Sequence, residues 1–121
     1  MPPHRMPDPD SLLPLPPAFF HILVALAQMP LHGYGIMQDV SERTGGKLRM
    51  GPGTLYGSLK RMLNAGLIEE SEERADPDLD DERRRYYRIT AFGRSVAAAE
   101  TARLGALVDQ ARARKLSFKR G

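Results

Sequence analysis

Residues 51–70, GPGTLYGSLKRMLNAGLIEE, constrain the fold of this chain more than any other stretch. A Gly-Pro-Gly opening and an Ala-Gly close confine a short helix between them. Leu55, Leu59, Met62 and Leu63 fall at i, i+4, i+7 and i+8, which makes one apolar stripe. Pro52 suits a first turn, where a missing N–H costs nothing, and Thr54 is a candidate cap. Thr54, Gly57, Ser58, Lys60, Arg61 and Asn64 are left on the other face, with Tyr56 at the boundary. So short a helix buries its stripe only against neighbours, and the rest of the chain must supply them.

Residues 18–29 supply the first. They are apolar nearly all round, with Phe19, Phe20, Ile22, Leu23, Val24 and Leu26, and Pro16-Pro17 precede them. A helix without a polar face is buried on more than one side. In a chain of 121 residues, part of that burial is expected from a second subunit. Pro30 ends the helix. A second one is expected over about 32–44, closed by Gly45-Gly46. Leu48, Arg49 and Met50 read as a possible short strand. Residues 67–74 and 83–90 read as two strands, with Ile68, Tyr87 and Ile89 at alternating positions. Residues 91–116 read as a last helix of about 39 Å. Its stripe of Phe92, Val96, Leu104, Leu107, Val108 and Ala111 outruns what one small core can cover. The expected fold is mainly α with a two-stranded β-wing. A proline-rich disordered or extended arm spans 1–15, a winged helix-turn-helix 16–90, a dimerisation helix 91–116 and a tail 117–121.

The net charge of +3 conceals an asymmetry. Residues 69–82 hold nine acidic groups and one arginine, which leaves the remainder at +11. A body that basic fits a polyanionic partner, and it equally fits a solvated surface carrying one acidic loop. The order of elements sharpens the choice. In a winged helix the wing lies beside the third helix, so Arg83, Arg84, Arg85 and Arg88 converge with Lys60 and Arg61 on one surface. That favours nucleic acid. The exposed face of such a helix is narrow enough for a DNA major groove, where Lys60 and Arg61 meet phosphates or guanine edges and Asn64 reads adenine. Gly57 and Ser58 let the backbone approach closely, and the Tyr56 hydroxyl suits a phosphate.

The runs LHGYGIMQDV, GPGTLYGSLKRMLNAGLIE and RRRYYRITAFGR resemble the PadR family of transcriptional regulators, named for control of phenolic-acid decarboxylase, over about residues 17–112. The resemblance implies a winged-helix repressor that dimerises through its C-terminal helix, aided by the first. It binds a palindromic operator as a homodimer and releases it on meeting a small aromatic or apolar effector. The resemblance puts Thr54, Tyr56, Lys60 and Arg61 at the DNA. The expected interface is then Thr54, Tyr56, Gly57, Ser58, Lys60, Arg61, Asn64, Arg83, Arg84 and Arg85. The expected dimer contacts are Phe19, Phe20, Leu23, Val96, Leu104, Leu107, Val108 and Ala111. Phe19, Phe20 and Phe92 either line an effector cavity or fill a core. Tyr34 reads as core packing rather than a phosphate contact. Tyr87 reads as core, with Tyr86 pointing the other way. The family's wing often carries glycine and proline before its basic run, where this chain has DLDDE. Its tip is therefore expected to bend away from DNA, so that neutralising Asp80, Asp81 and Glu82 tightens binding.

Other functions find less support. With no cysteine there is no disulfide framework or thiolate zinc site, which fits a reducing cytosol. His4, His21 and His32 lack ligand spacing, so no metal or other cofactor is expected. The longest apolar run is too short to span a bilayer, so no membrane partner is expected. No phosphate-binding glycine loop or nucleophile elbow points to an enzyme. The alternative is a winged-helix module for protein–protein assembly, docked through its acidic wing.

Overall fold

The computed structural model describes residues 7–72 and 85–116. A 3₁₀ turn at Pro9–Leu12 precedes α1 (Pro17–Ala25), β1 (Leu31–His32), α2 (Gly33–Arg43), α3 (Pro52–Asn64), β2 (Ile68–Ser71), β3 (Tyr86–Ile89) and α4 (Ala91–Ala113). The strands form an antiparallel sheet in the order β1-β3-β2. Tyr86 and Tyr87 pair with His32 and Leu31 on one side and with Ser71 and Glu70 on the other. The expected two-stranded wing thus gains a third strand. It comes from Leu31-His32, because α1 stops at Ala25 and the chain turns through Pro30 onto the open edge of β3. Residues 48–50 form no strand. Thr44 Oγ1 accepts the Leu48 N–H at 3.1 Å and holds them as a link.

Turn chemistry fixes the elements as the glycines foretell. Gly66, at φ +76°, ends α3: its N–H donates to Leu63 O and that of Leu67 to Met62 O. Gly45-Gly46 end α2 in the same way, donating to Glu42 O and Ser41 O. Gly51 occupies the cap of α3, ahead of Pro52, so Thr54 lies inside the helix and caps nothing. Thr90 caps α4 by accepting the Gly93 N–H at 2.9 Å, and its hydroxyl donates to Gly66 O at 2.6 Å. A Cβ at Gly93 would overlap the Leu67 carbonyl oxygen, so α4 reaches the α3–β2 turn only through glycine.

The core joins Ile22 and Leu23 of α1 and the Leu26 that follows it to Ile36 and Val40 of α2, Leu55, Leu59 and Met62 of α3, and Val96 of α4, with Leu67, Ile68 and Tyr87 beneath. Three expectations change here. Leu23 and Val96 are wholly buried in the chain's own core, so neither offers surface to a second subunit. The segment before α1 is not a loose arm over its described residues, since Leu15 is buried and Leu12 and Leu13 pack on the core. Tyr86 lies on the sheet face opposite Tyr87, as its parity requires, yet is also buried, with the His32 ring edge-on at 5.1 Å.

Candidate nucleic-acid interface

α3 presents its core stripe, Leu55, Ser58, Leu59 and Met62, to the interior. Ser58 is 1% exposed, which removes it from the outward face where the sequence reading put it. Its Oγ has no hydrogen-bond partner among the described residues. The helical repeat places Gly53, Gly57, Lys60 and Asn64 in one line opposite that stripe, all exposed. Gly53 was missed by the sequence reading, although its spacing of four, three and four residues along this line was legible. Among the described residues, a Cβ at Gly53 or Gly57 would meet nothing within 4 Å beyond its own helix backbone. The centre of the face is therefore bare backbone beside one cation and one amide.

The flanks differ. Thr54 and Arg61 lie on the α1 side, where the Arg61 guanidinium sits 5.5 Å from the centre of the Phe19 ring, a cation–π contact that steadies it. Tyr56 lies on the α2 side, half exposed, with its ring against Gly33; a Cβ there would come within 2.5 Å of the hydroxyl. Tyr34 is 62% exposed at the start of α2, not in the core, because His32 takes the inward place. His32 Nδ1 caps α2 by accepting the Gly35 N–H at 3.0 Å, and the Tyr34 ring stacks over it at 6.3 Å. Two tyrosine side chains thus edge the start of α2.

The wing base contributes Arg85. Burial pushes the Tyr87 hydroxyl above its ordinary value; Arg85 opposes this, while Glu70 and Tyr56 add to it. Tyr87 lies directly opposite Glu70 on the same sheet face. Arg85 is paired with Glu70 at 3.4 Å, and Arg88, on the opposite sheet face, with Glu69 at 3.0 Å. Both pairs are exposed, so each restrains its arginine only weakly. Arg83, Arg84 and the DLDDE run lie outside the described residues.

The expected partner surface divides. Leu104, Leu107 and Val108 are exposed along α4, with Ala111 half-buried. Phe19, Phe20 and Phe92 are partly buried against the core. Among the described residues no cluster of three or more histidine or acidic groups could hold a metal ion, and no helix is long and apolar enough to cross a membrane.

Three helices, a wing of paired strands and an outward third helix define a winged helix-turn-helix protein. The chain belongs to the transcriptional regulator PadR-like family, whose profile matches residues 22–99. It is 41% identical over 75 residues to the transcriptional regulator Rv3488 of Mycobacterium tuberculosis, covering 62% of this chain and 64% of that protein. The matches to curated relatives span only 20% to 65% of those proteins' own lengths. A PadR family transcription regulator from Clostridium difficile R20291 superposes with a TM-score of 0.65 at 24% identity, covering 78% of this chain and 94% of that one. PadR of Bacillus subtilis, solved in complex with operator DNA, superposes with a TM-score of 0.56 at 21% identity, covering 69% and 47%. At these identities the structural likeness is one of fold.

Proposed function

We propose that the chain is a DNA-binding repressor that holds a palindromic operator as a homodimer and lets go on meeting a small aromatic or apolar effector. The observation that carries the DNA reading is the outward line of α3. Gly53 and Gly57 leave the backbone uncovered where a groove floor would approach, and Lys60 and Asn64 supply the groups that read base edges. Tyr34, Tyr56, Thr54, Arg61 and Arg85 surround that line as phosphate contacts, which fix register without reading sequence. The solved complex of the Bacillus subtilis protein with operator DNA supports the same use of the shared fold. The dimer reading rests on Leu104, Leu107 and Val108, an apolar row that the chain itself leaves open. Two copies would set their third helices on half-sites about 34 Å apart.

Fluorescence polarisation of duplexes from the chain's own promoter region, at two salt concentrations, tests this. Tight binding that falls steeply with salt is expected, with Arg61→Ala weakening it and lowering the salt slope by about one, and Lys60→Ala weakening it with relaxed sequence preference. Aromatic and apolar small molecules added to the complex should then release it, and Phe19, Phe20 and Phe92 are the residues to substitute. Indifference to that promoter and to genomic fragments refutes the reading. It would favour protein–protein assembly, for which the internal pairing of Arg85 and Arg88 with acidic partners is the supporting observation.

A further inference from the structure

Glu100 is the one ionisable side chain on the inward stripe of α4, and it is 3% exposed. A carboxylate so placed is costly unless donors fill its oxygens. Oε2 accepts the backbone N–H of Leu15 at 3.2 Å and Arg103 Nη2 at 2.9 Å, and Oε1 accepts Arg103 Nε at 2.6 Å. Glu100 thus ties the segment before α1 to the last helix. The segment is itself ordered: the Asp8 side chain accepts the Asp10 N–H at 3.0 Å to cap the 3₁₀ turn, and Leu15 is buried. Before Glu100, the α4 stripe is covered by the chain's own core at Gly93 and Val96. After it, Leu104, Leu107 and Val108 continue the same stripe uncovered.

We infer that residues 8–15 form a strap, fastened by Glu100, that fixes where along α4 a second copy of this chain can pack. This rests on the homodimer proposed above. The occupant is a second copy because the open row continues a stripe the chain otherwise fills itself, and an apolar row of this kind is self-complementary across a two-fold axis. With the strap in place the contact begins at Leu104. With it released, Glu100 joins the row, and two helices gain alignments that differ by a turn, about 5.4 Å. α3 packs on the same core as α4, so a slide of α4 changes the separation of the two reading helices.

The chain has no cysteine, so Glu42→Cys, at an exposed position of α2, accepts a single spin label on the full chain. Pulsed dipolar spectroscopy then reads the distance between labels across the dimer, and hydrogen exchange at amide 15 reports the strap. Leu15→Ser should release it. Leu12→Asp with Leu13→Asp, both more peripheral, serves should Leu15→Ser unfold the body. The parent is expected to show one narrow distance, and the released variants a distribution broadened or displaced by about 5 Å. An unchanged narrow distance with amide 15 unprotected overturns the strap, as does protection retained in both variants. A parent without dipolar coupling overturns the dimer itself and the strap with it.

Discussion

Gly57→Ala separates what the isolated chain needs from what a bound duplex needs. Gly57 lies within α3, where glycine costs about 1 kcal/mol relative to alanine through backbone entropy. Nothing among the described residues explains that cost, because an added Cβ meets no atom within 4 Å beyond its own helix backbone and the position is exposed. The variant should therefore be more stable by about 1 kcal/mol, a rise in melting temperature of roughly 5 °C for a domain of this size. If α3 seats its backbone in the major groove, the same methyl group stands between helix and groove floor. Overpacking of a close contact costs about 1–3 kcal/mol, which is roughly five-fold to 150-fold in affinity. Thermal denaturation and polarisation against a bound duplex measure the two effects on one preparation. A variant that gains stability and keeps full affinity refutes the close approach, because the bare line of α3 would then face solvent even in the complex.

Ser58→Ala should stabilise the fold by about 1 kcal/mol, since it removes a buried hydroxyl that has no partner among the described residues. Duplex affinity should not change; a marked loss would return Ser58 to the interface. Gly93→Ala should destabilise by about 2–3 kcal/mol, because the new methyl overlaps the Leu67 carbonyl oxygen and presses on Ile89 at 3.0 Å. A melting temperature within about a degree of the parent would contradict that packing. The hydrogen bonds from Arg103, and then from the Leu15 amide, hold the Glu100 carboxyl below its ordinary value of 4.5 against the opposing effect of burial. A lowered folded value means that its stabilisation is present above the unfolded value and lost as pH falls through the folded one. Protection of amide 15 should accordingly fade as pH falls below the ordinary carboxyl value of 4.5, and Glu100→Gln should flatten that dependence. An equal acid slope in both proteins would detach Glu100 from the strap.

Much of the candidate interface was readable because it depends on local rules. The α3 stripe at Leu55, Leu59 and Met62, the stops at Gly45 and Gly66 and the β-pattern around Tyr87 follow from helical period, positive φ and alternation, all carried by neighbouring residues. The exposure of Lys60, Asn64 and Gly57 follows from the same period. Ser58 was misplaced because a small polar residue reads as surface, while its angle beside Leu55 and Leu59 puts it inside. Tyr34 was misplaced for the converse reason: an aromatic residue reads as core, but the neighbouring His32 already fills the inward position as cap and strand partner of Tyr86.

What the amino-acid order determined alone is the set of four α-helices among the described residues, the glycine stops of α2 and α3, and which face of α3 is polar. Each of these rests on interactions within a few residues. Only tertiary packing decided that Leu31-His32 joins the sheet, that Leu23 and Val96 belong to one chain's core, and that Leu15 meets Glu100 across 85 positions. Contacts of that range depend on which surfaces remain open once the local elements have formed, and no period or turn rule along the chain encodes them.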